Sequence, residues 1–151
     1  GLIYAVRGLR GAIVAVKITG QGQLPQEQIT WSHRQNTPDT CCPLVYGGLL
    51  FTVADDGIAQ CLDAKSGKLQ WRTRLKGPFK ASPIAAEGRI YFPSTTGVCT
   101  VIAAQRQLKQ LAANTLDDQL IASPAVSDGT IYLRGRKGLY AIGATPSASS
   151  K

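Results

Sequence analysis

The fold is decided by residues 57–71, which read Gly57-Ile58-Ala59-Gln60-Cys61-Leu62-Asp63-Ala64-Lys65-Ser66-Gly67-Lys68-Leu69-Gln70-Trp71. Two runs rich in apolar residues flank a short polar turn that contains a glycine, which is the pattern of two strands joined by a tight connection. We therefore predict strands at residues 58–63 and 69–75 of this 151-residue chain.

The same pattern recurs at a spacing of about 40 residues, which is a period typical of repeat architectures. Pro43, Pro83 and Pro124 are separated by 40 and 41 residues, and each opens a unit. Four more sets keep this register: Gly48, Gly88 and Gly129; Phe51, Tyr91 and Tyr132; Gly57, Gly97 and Gly138; and Leu62, Ile102 and Ile142. Each unit is therefore one copy of the same supersecondary element.

A less regular copy lies upstream, with an insertion at residues 20–25. Its matches to the aromatic, glycine, aliphatic and tryptophan positions of the next unit are Tyr4, Gly11, Val16 and Trp31. In that next unit we predict four strands joined by glycine-containing turns, at residues 42–46, 49–54, 58–63 and 69–75. Residues 103–113 carry a weak helical pattern, but the repeat register assigns them to a loop and a fourth strand.

Four-stranded units repeated head to tail predict an all-β fold, a partial β-propeller of antiparallel blades. A β-sandwich also has short strands between turns, but it does not require one motif to recur in phase. The pattern begins on the second strand of one unit and ends after the third strand of another. We therefore count three, four, four and three strands, which is about three and a half blades.

The predicted domain is one propeller arc over residues 1–143, and we expect the small polar segment 144–151 to be a disordered tail. The blades are expected at about 1–35 (partial), 36–77, 78–118 and 119–143 (partial). A single blade cannot bury both of its faces, so blades must stack side by side. We expect the arc to contact the rest of a longer propeller, or to self-associate through its open edges.

Residues 57–71 resemble the repeat of the pyrroloquinoline-quinone-type propellers, D-G-x-h-x-A-L-D-A-x-T-G-x-x-x-W, with Cys61 and Ser66 in place of the usual alanine and threonine. The resemblance implies that Trp71 docks against a neighbouring blade, and that Asp63 and Gly67 shape the turn before the outer strand. Trp31 keeps the aromatic residue in the first unit, where Lys17 replaces the aspartate. The third unit has Ala103-Ala104-Gln105 in the turn and no tryptophan.

The resemblance covers residues from about 2 to 143 and is specific for the fold rather than for an activity. The superfamily includes alcohol dehydrogenases that hold pyrroloquinoline quinone (PQQ) and calcium, and non-enzymatic scaffolds of outer-membrane β-barrel assembly. We expect a non-catalytic scaffold that binds protein partners, has no cofactor and is periplasmic or exported. The alternative is a fragment of a PQQ-dependent alcohol dehydrogenase.

The adjacent cysteines Cys41 and Cys42 bear on this alternative. They resemble the vicinal disulfide that covers one face of the quinone in those dehydrogenases, and they are the cofactor-binding candidates under that hypothesis only. The repeats support packing instead, because Cys41 aligns with Ala81 and Ala122, and Cys42 with two serines. Small residues at this position indicate a crowded first strand.

The remaining chemistry-bearing residues predict no catalytic residue and no metal site. His33 is the only histidine and is expected to be exposed, while Asp55-Asp56-Gly57 is typical of a hairpin turn rather than of a calcium cage. Cys61 and Cys99 fall at unmatched positions of different units and are not expected to form a disulfide.

Composition sets further limits on the class of protein. The chain is 44% hydrophobic and 17% charged, which fits a globular domain, and its longest apolar run, residues 12–16, is too short to span a bilayer. The formal net charge of +8 favours acidic partners, but the basic residues are scattered. Without a stacked aromatic platform, we expect no nucleic-acid binding.

Overall fold

The computed structural model describes residues 1–9, 11–19, 22–23 and 25–143. Across these residues the chain forms fourteen β-strands and one short 3-10 helix at Gln26–Gln28. The strands are β1 (Leu2–Val6), β2 (Ile13–Lys17), β3 (Ile29–His33), β4 (Leu44–Tyr46), β5 (Leu49–Val53), β6 (Ile58–Asp63), β7 (Leu69–Arg74), β8 (Ile84–Ala86), β9 (Arg89–Pro93), β10 (Val98–Ala103), β11 (Gln110–Thr115), β12 (Ala125–Ser127), β13 (Thr130–Arg134) and β14 (Leu139–Gly143).

The strands form four antiparallel sheets, each of which is a meander of consecutive strands. We call these sheets blade 1 (β1–β3), blade 2 (β4–β7), blade 3 (β8–β11) and blade 4 (β12–β14). This confirms the predicted all-β partial propeller with three, four, four and three strands. The proposed tail, residues 144–151, lies outside the described residues.

Two sequence predictions about strand positions can be compared with the structure. The fourth strand of blade 3 is present as Gln110–Thr115, so the repeat register was a better guide than the weak helical pattern. The first strand of blade 2 begins at Leu44 rather than at residue 42. The reason is that the Cys42 N–H donates to Ser82 Oγ of the next blade instead of joining its own sheet.

The first hairpin of each of blades 2, 3 and 4 turns through two residues with positive φ. In blade 2 these are Gly47 (φ 57°) and Gly48 (φ 73°), and in blade 3 Glu87 (φ 48°) and Gly88 (φ 72°). This is the geometry of tight hairpin turns whose twist matches that of the strands. The last two strands of blades 1, 2 and 3 also share a register shift, which in blade 2 lies between Cys61 and Leu62.

The core lies between blades, because alternate residues of each strand face opposite neighbours. We call the face of a blade that points to the preceding blade its front face, and the opposite one its back face. The front face of blade 2 carries Leu50 and Leu62, which pack with Ile13, Tyr4 and Trp31 of blade 1. Its back face forms the larger cluster with blade 3, through the side chains of Phe51, Val53, Ala59, Cys61, Trp71, Ile90, Phe92 and Ile102.

Candidate functional site: the contacts between blades

Trp31 docks on the turn that precedes the outer strand of blade 2. Its indole Nε1 donates a hydrogen bond of 3.0 Å to the Ala64 carbonyl, and Tyr4 Oη donates to the same carbonyl at 3.0 Å. The ring lies so close to Gly67 that a Cβ there would stand 2.6 Å from Trp31 Cδ2. Glycine at this position therefore leaves room for the tryptophan of the preceding blade.

Trp71 makes the equivalent contact one blade further along. Its Nε1 donates to the Gln105 carbonyl of blade 3 at 3.2 Å, and its side chain is buried beside Phe51, with ring centroids 6.0 Å apart. Trp71 is the cross-strand partner of Cys61, and the equivalent pair in blade 3 is Val101 and Ala112. Blade 3 therefore has no tryptophan at this position to contact blade 4.

Asp63 both shapes its own turn and contacts the next blade. Its Oδ1 accepts hydrogen bonds from the N–H and hydroxyl of Ser66, at 2.9 and 2.8 Å. Its Oδ2 accepts from Arg106 Nη2 of blade 3 at 2.7 Å. The Arg106 guanidinium and the two Ser66 donors lower the pKa of Asp63 to about 2. The pairing with Arg106 was not predicted from sequence, because no local pattern joins residues 43 positions apart.

The two adjacent cysteines point to different surroundings. Cys41 is buried in the cluster between blades 2 and 3, its Sγ lies 3.3 Å from the Ala81 carbonyl, and burial raises the pKa of its thiol to about 11. Cys42 is exposed. Its N–H donates to Ser82 Oγ at 2.8 Å, and the Ser82 N–H in turn donates to Ser123 Oγ at 3.0 Å. All four cysteines are free thiols.

This geometry does not fit a quinone pocket covered by a vicinal disulfide. The Cys41 thiol is packed between blades 2 and 3, whereas the Cys42 side chain is exposed. Among the residues that the structure describes, no group of three or more His, Cys, Asp or Glu side chains could hold a metal ion. We therefore derive no chemical step through pyrroloquinoline quinone or calcium.

His33 occupies a more enclosed position than its outer strand predicted. It is half-buried, and its Nε2 lies 2.8 Å from Gln60 Oε1 and 2.9 Å from the Gln35 carbonyl. Because both partners are oxygen atoms, we assign the proton to Nε2. Gln60 is fully buried in blade 2 and donates its own amide to the Gln35 carbonyl. This polar contact could not be predicted from the sequence, since glutamine is seldom buried.

Two other carboxylates accept hydrogen bonds that hold connecting loops against the blades. Asp118, which is buried, accepts hydrogen bonds from the backbone N–H groups of Gln119, Arg136 and Lys137 and from Tyr140 Oη, so it joins the loop before blade 4 to the loop within it. Burial raises its pKa, but these donors outweigh that effect and place the pKa below its ordinary value.

Asp55 has the corresponding role at the start of blade 2. Its carboxylate accepts from the backbone N–H groups of Asp39 and Thr40, and Lys80 Nζ lies 2.6 Å from Oδ2. Burial raises the pKa of Asp55. The hydrogen bonds from Lys80, Asp39 and Thr40 lower it by more than burial raises it, so the pKa lies below its ordinary value. The Asp55-Asp56-Gly57 turn thus connects three segments of chain.

These contacts define a β-propeller arc in which the spacing that repeats along the chain serves the packing of one blade on the next. The profile of the family described as outer membrane protein assembly factor BamB matches residues 10–110. The chain belongs to this family.

Individual relatives fall into two groups. Polyvinylalcohol dehydrogenase of Sphingopyxis sp. (strain 113P3) is 27% identical over 135 residues, which is 82% of this chain and 20% of the dehydrogenase. The crystal structure of BamB from Moraxella catarrhalis superposes with a TM-score of 0.71 at 16% identity, over 94% of this chain and 42% of that one. A europium-containing methanol dehydrogenase gives a TM-score of 0.63 at 13% identity, over 76% and 23%.

The chain therefore spans less than half the length of each of these relatives. The two structural likenesses establish the fold, and they do not distinguish an assembly factor from a dehydrogenase. Among the described residues, the structure contains no helix that is both long and apolar enough to cross a membrane.

Proposed function

We propose that this chain is a non-catalytic scaffold that binds protein partners within an exported, periplasmic protein. The observation that carries the proposal is that ionisable side chains of this chain make structural contacts between blades and loops. Asp63, Asp55, Asp118, Cys41 and His33 each contact another blade or a connecting loop. The family description, an outer membrane protein assembly factor, supports the same function and compartment.

We also propose that residues 1–143 act as one arc with blade limits near residues 35, 77 and 118. In this proposal Trp31 and Gly67 dock blade 1 on blade 2, and Trp71 and Asp63 dock blade 2 on blade 3. Their support is that both indoles and Asp63 reach a residue of the following blade.

Site-specific photocrosslinking in the periplasm of a Gram-negative host tests the binding function. A photoreactive side chain would replace Lys65, an exposed residue on one rim of the arc, or Lys76, an exposed residue on the opposite rim. We expect one rim to crosslink to a protein of outer-membrane assembly and the other rim to serve as its matched control. If neither rim yields a protein adduct, the scaffold proposal is wrong.

The second candidate is a fragment of a PQQ-dependent dehydrogenase. The observation in its favour is the similarity to polyvinylalcohol dehydrogenase, which covers most of this chain. Titration of pyrroloquinoline quinone with calcium, followed through the fluorescence of Trp31 and Trp71, tests it. We expect no saturable, calcium-dependent quenching. Quenching that the Cys41→Ser/Cys42→Ser double variant abolishes would favour the dehydrogenase.

A further inference from the structure

The outermost strand of blade 3 is an exposed edge strand. Blade 3 has four strands and a blade on either side, and β11 is the terminal strand of its sheet. Further blades added beside the arc would leave this edge open, because blades stack face to face. An edge strand presents unpaired N–H and C=O groups to which another strand can pair, and natural proteins often block such edges with charged side chains.

The backbone of β11 has hydrogen-bonding groups directed at this edge. The Leu116 N–H donates to the Gly97 carbonyl at 3.0 Å, so these residues form a hydrogen-bonded pair beside the β10–β11 ladder. Hydrogen-bonded and non-hydrogen-bonded pairs alternate along an antiparallel ladder. Thr115 and Ala113 therefore lie in non-hydrogen-bonded pairs of this ladder. Their N–H and C=O groups point away from β10, towards the open edge.

The edge of β11 lacks the charges that protect the outer strand of blade 2. By their cross-strand pairing, Ala113 and Thr115 are equivalent to Arg72 and Arg74 of β7. Two copies that paired through β7 would bring these arginines together, and like charges on facing strands are destabilising. In contrast, residues 110–116 contain no charged residue, no proline and no glycine, and Leu111 among them is 44% exposed. This edge is therefore open to pairing.

Opposite charges flank this uncharged stretch. Lys109 precedes it and Asp117 follows it, each four residues from Ala113, and both side chains are exposed. If two β11 strands paired antiparallel about Ala113, Lys109 of each copy would therefore lie level with Asp117 of the other. Asp117 contacts Lys137 of its own chain at 2.8 Å, but its carboxylate is fully exposed and has room for a second donor. The edge is thus complementary to itself in charge.

We propose that β11 is a dimerisation edge, at which a second copy of this chain pairs antiparallel through its own β11. Ala113 of the two copies would exchange N–H···O=C hydrogen bonds on a twofold axis, and two four-stranded sheets would become continuous. Such an interface uses the same surface of both copies, which is the commonest arrangement in dimers. The two Lys109–Asp117 pairs would fix the register. This proposal does not rest on the scaffold function.

Sedimentation equilibrium of the 151-residue chain, at concentrations up to about 1 mM, is the first measurement. One pair of strands is a small interface, so we expect a weak, reversible dimer of twice the 16.0 kDa chain mass. A chain that stays monomeric at every concentration overturns the proposal. Larger polymers also overturn it, because an interface that pairs one edge with itself closes at two copies.

Arginines placed on β11 test whether this edge forms the dimer. Ala113→Arg/Thr115→Arg copies the two arginines of β7 onto the equivalent positions of β11. We expect this variant to fold, because β7 accepts arginine at both positions, and to dimerise about tenfold more weakly. Circular dichroism and tryptophan emission check the fold. An unchanged affinity would show that another surface joins the copies, and the proposal would be wrong.

Exchanging the flanking charges tests the antiparallel register. Lys109→Glu and Asp117→Lys each place like charges at both ends of the interface, so each variant alone should dimerise about threefold or more weakly. Their equimolar mixture should recover the wild-type affinity, because opposite charges face each other at both ends of the mixed dimer. Lys65→Glu is the matched control, since it makes the same charge change at an exposed lysine of blade 2. A mixture that associates no better than the single variants would contradict this register.

Discussion

At the scale of single residues, Gly67 has two separate reasons to be glycine. Its φ of 71° lies in the left-handed region, and the Trp31 ring occupies the space that a side chain would fill. Gly48 has almost the same backbone, with a φ of 73°, but a Cβ there would meet nothing within 4 Å. Comparing substitutions at the two positions therefore separates the cost of backbone strain from the cost of disturbing the contact between blades.

Gly67→Ala should destabilise the protein more than Gly48→Ala. The backbone penalty, about 1–2 kcal/mol, is common to both substitutions. Gly67→Ala adds the cost of displacing Trp31, which for an overpacked site is about 1–3 kcal/mol. Urea unfolding followed by tryptophan fluorescence measures both free energies of unfolding. Equal losses at the two positions would show that the indole does not need this space.

The contribution of Asp63 to stability should depend on pH. The pKa of Asp63 in the folded state, about 2, lies below its ordinary value of 3.8. Folding is therefore favoured by the ionised form at pH values above 3.8, and this stabilisation is lost as the pH falls through the folded pKa. Asp63→Asn should lower the urea midpoint at pH 7, and the difference from wild type should shrink towards pH 2.

The exposed residue Asp128 provides a control for this measurement, because its carboxylate contacts only the neighbouring Ser127 hydroxyl among the described hydrogen bonds. Asp128→Asn should leave the urea midpoint nearly unchanged throughout the titration. A difference between Asp63→Asn and wild type that stays constant down to pH 2 would contradict the assigned ion pair with Arg106.

At the scale of strands and loops, Asp118 joins blade 4 to the rest of the arc. Asp118→Ala would leave the backbone N–H groups of Arg136 and Lys137 without their acceptor, and blade 4 should open more often. We expect faster hydrogen exchange in β13 and β14 and unchanged exchange in β5 and β6. Asp117→Ala is the matched control, since that side chain is fully exposed and, among the residues that the structure describes, pairs only with Lys137.

The elements themselves were predictable because three units repeat in register, so the turn and strand signals of one unit could be checked against two others. The contacts between strands of different blades were not predictable from the sequence. His33 and Gln60 are 27 positions apart, and the sequence places neither next to the other. The start of β4 at Leu44 rather than at Cys42 was unpredictable for the same reason, because the Cys42 N–H donates to Ser82 Oγ, 40 residues away in the sequence.

At the scale of the whole molecule, protection should decrease from the middle of the arc towards its ends. The strands β5 and β6 are buried on both faces, whereas β1 and β14 each have one face open to solvent. Under conditions where the chain is monomeric, hydrogen exchange measured by mass spectrometry should be slowest in blades 2 and 3. Uniform exchange across the four blades would contradict a stability that depends on nearest neighbours.

The hydrogen bonds from the two indoles and from the Cys42 and Ser82 backbone share one direction, with the donor always in the earlier blade and the acceptor in the later one. For these four hydrogen bonds each blade supplies the donor towards the following blade and the acceptor towards the preceding one, whereas Arg106 donates in the opposite direction, to Asp63. Duplicating blade 2 within a gene would set Trp71 of one copy against the turn at Ala64 and Gly67 of the next copy, which is the contact that Trp31 now makes. Such a chain can change its blade number by recombination in single steps, without first inventing a new contact.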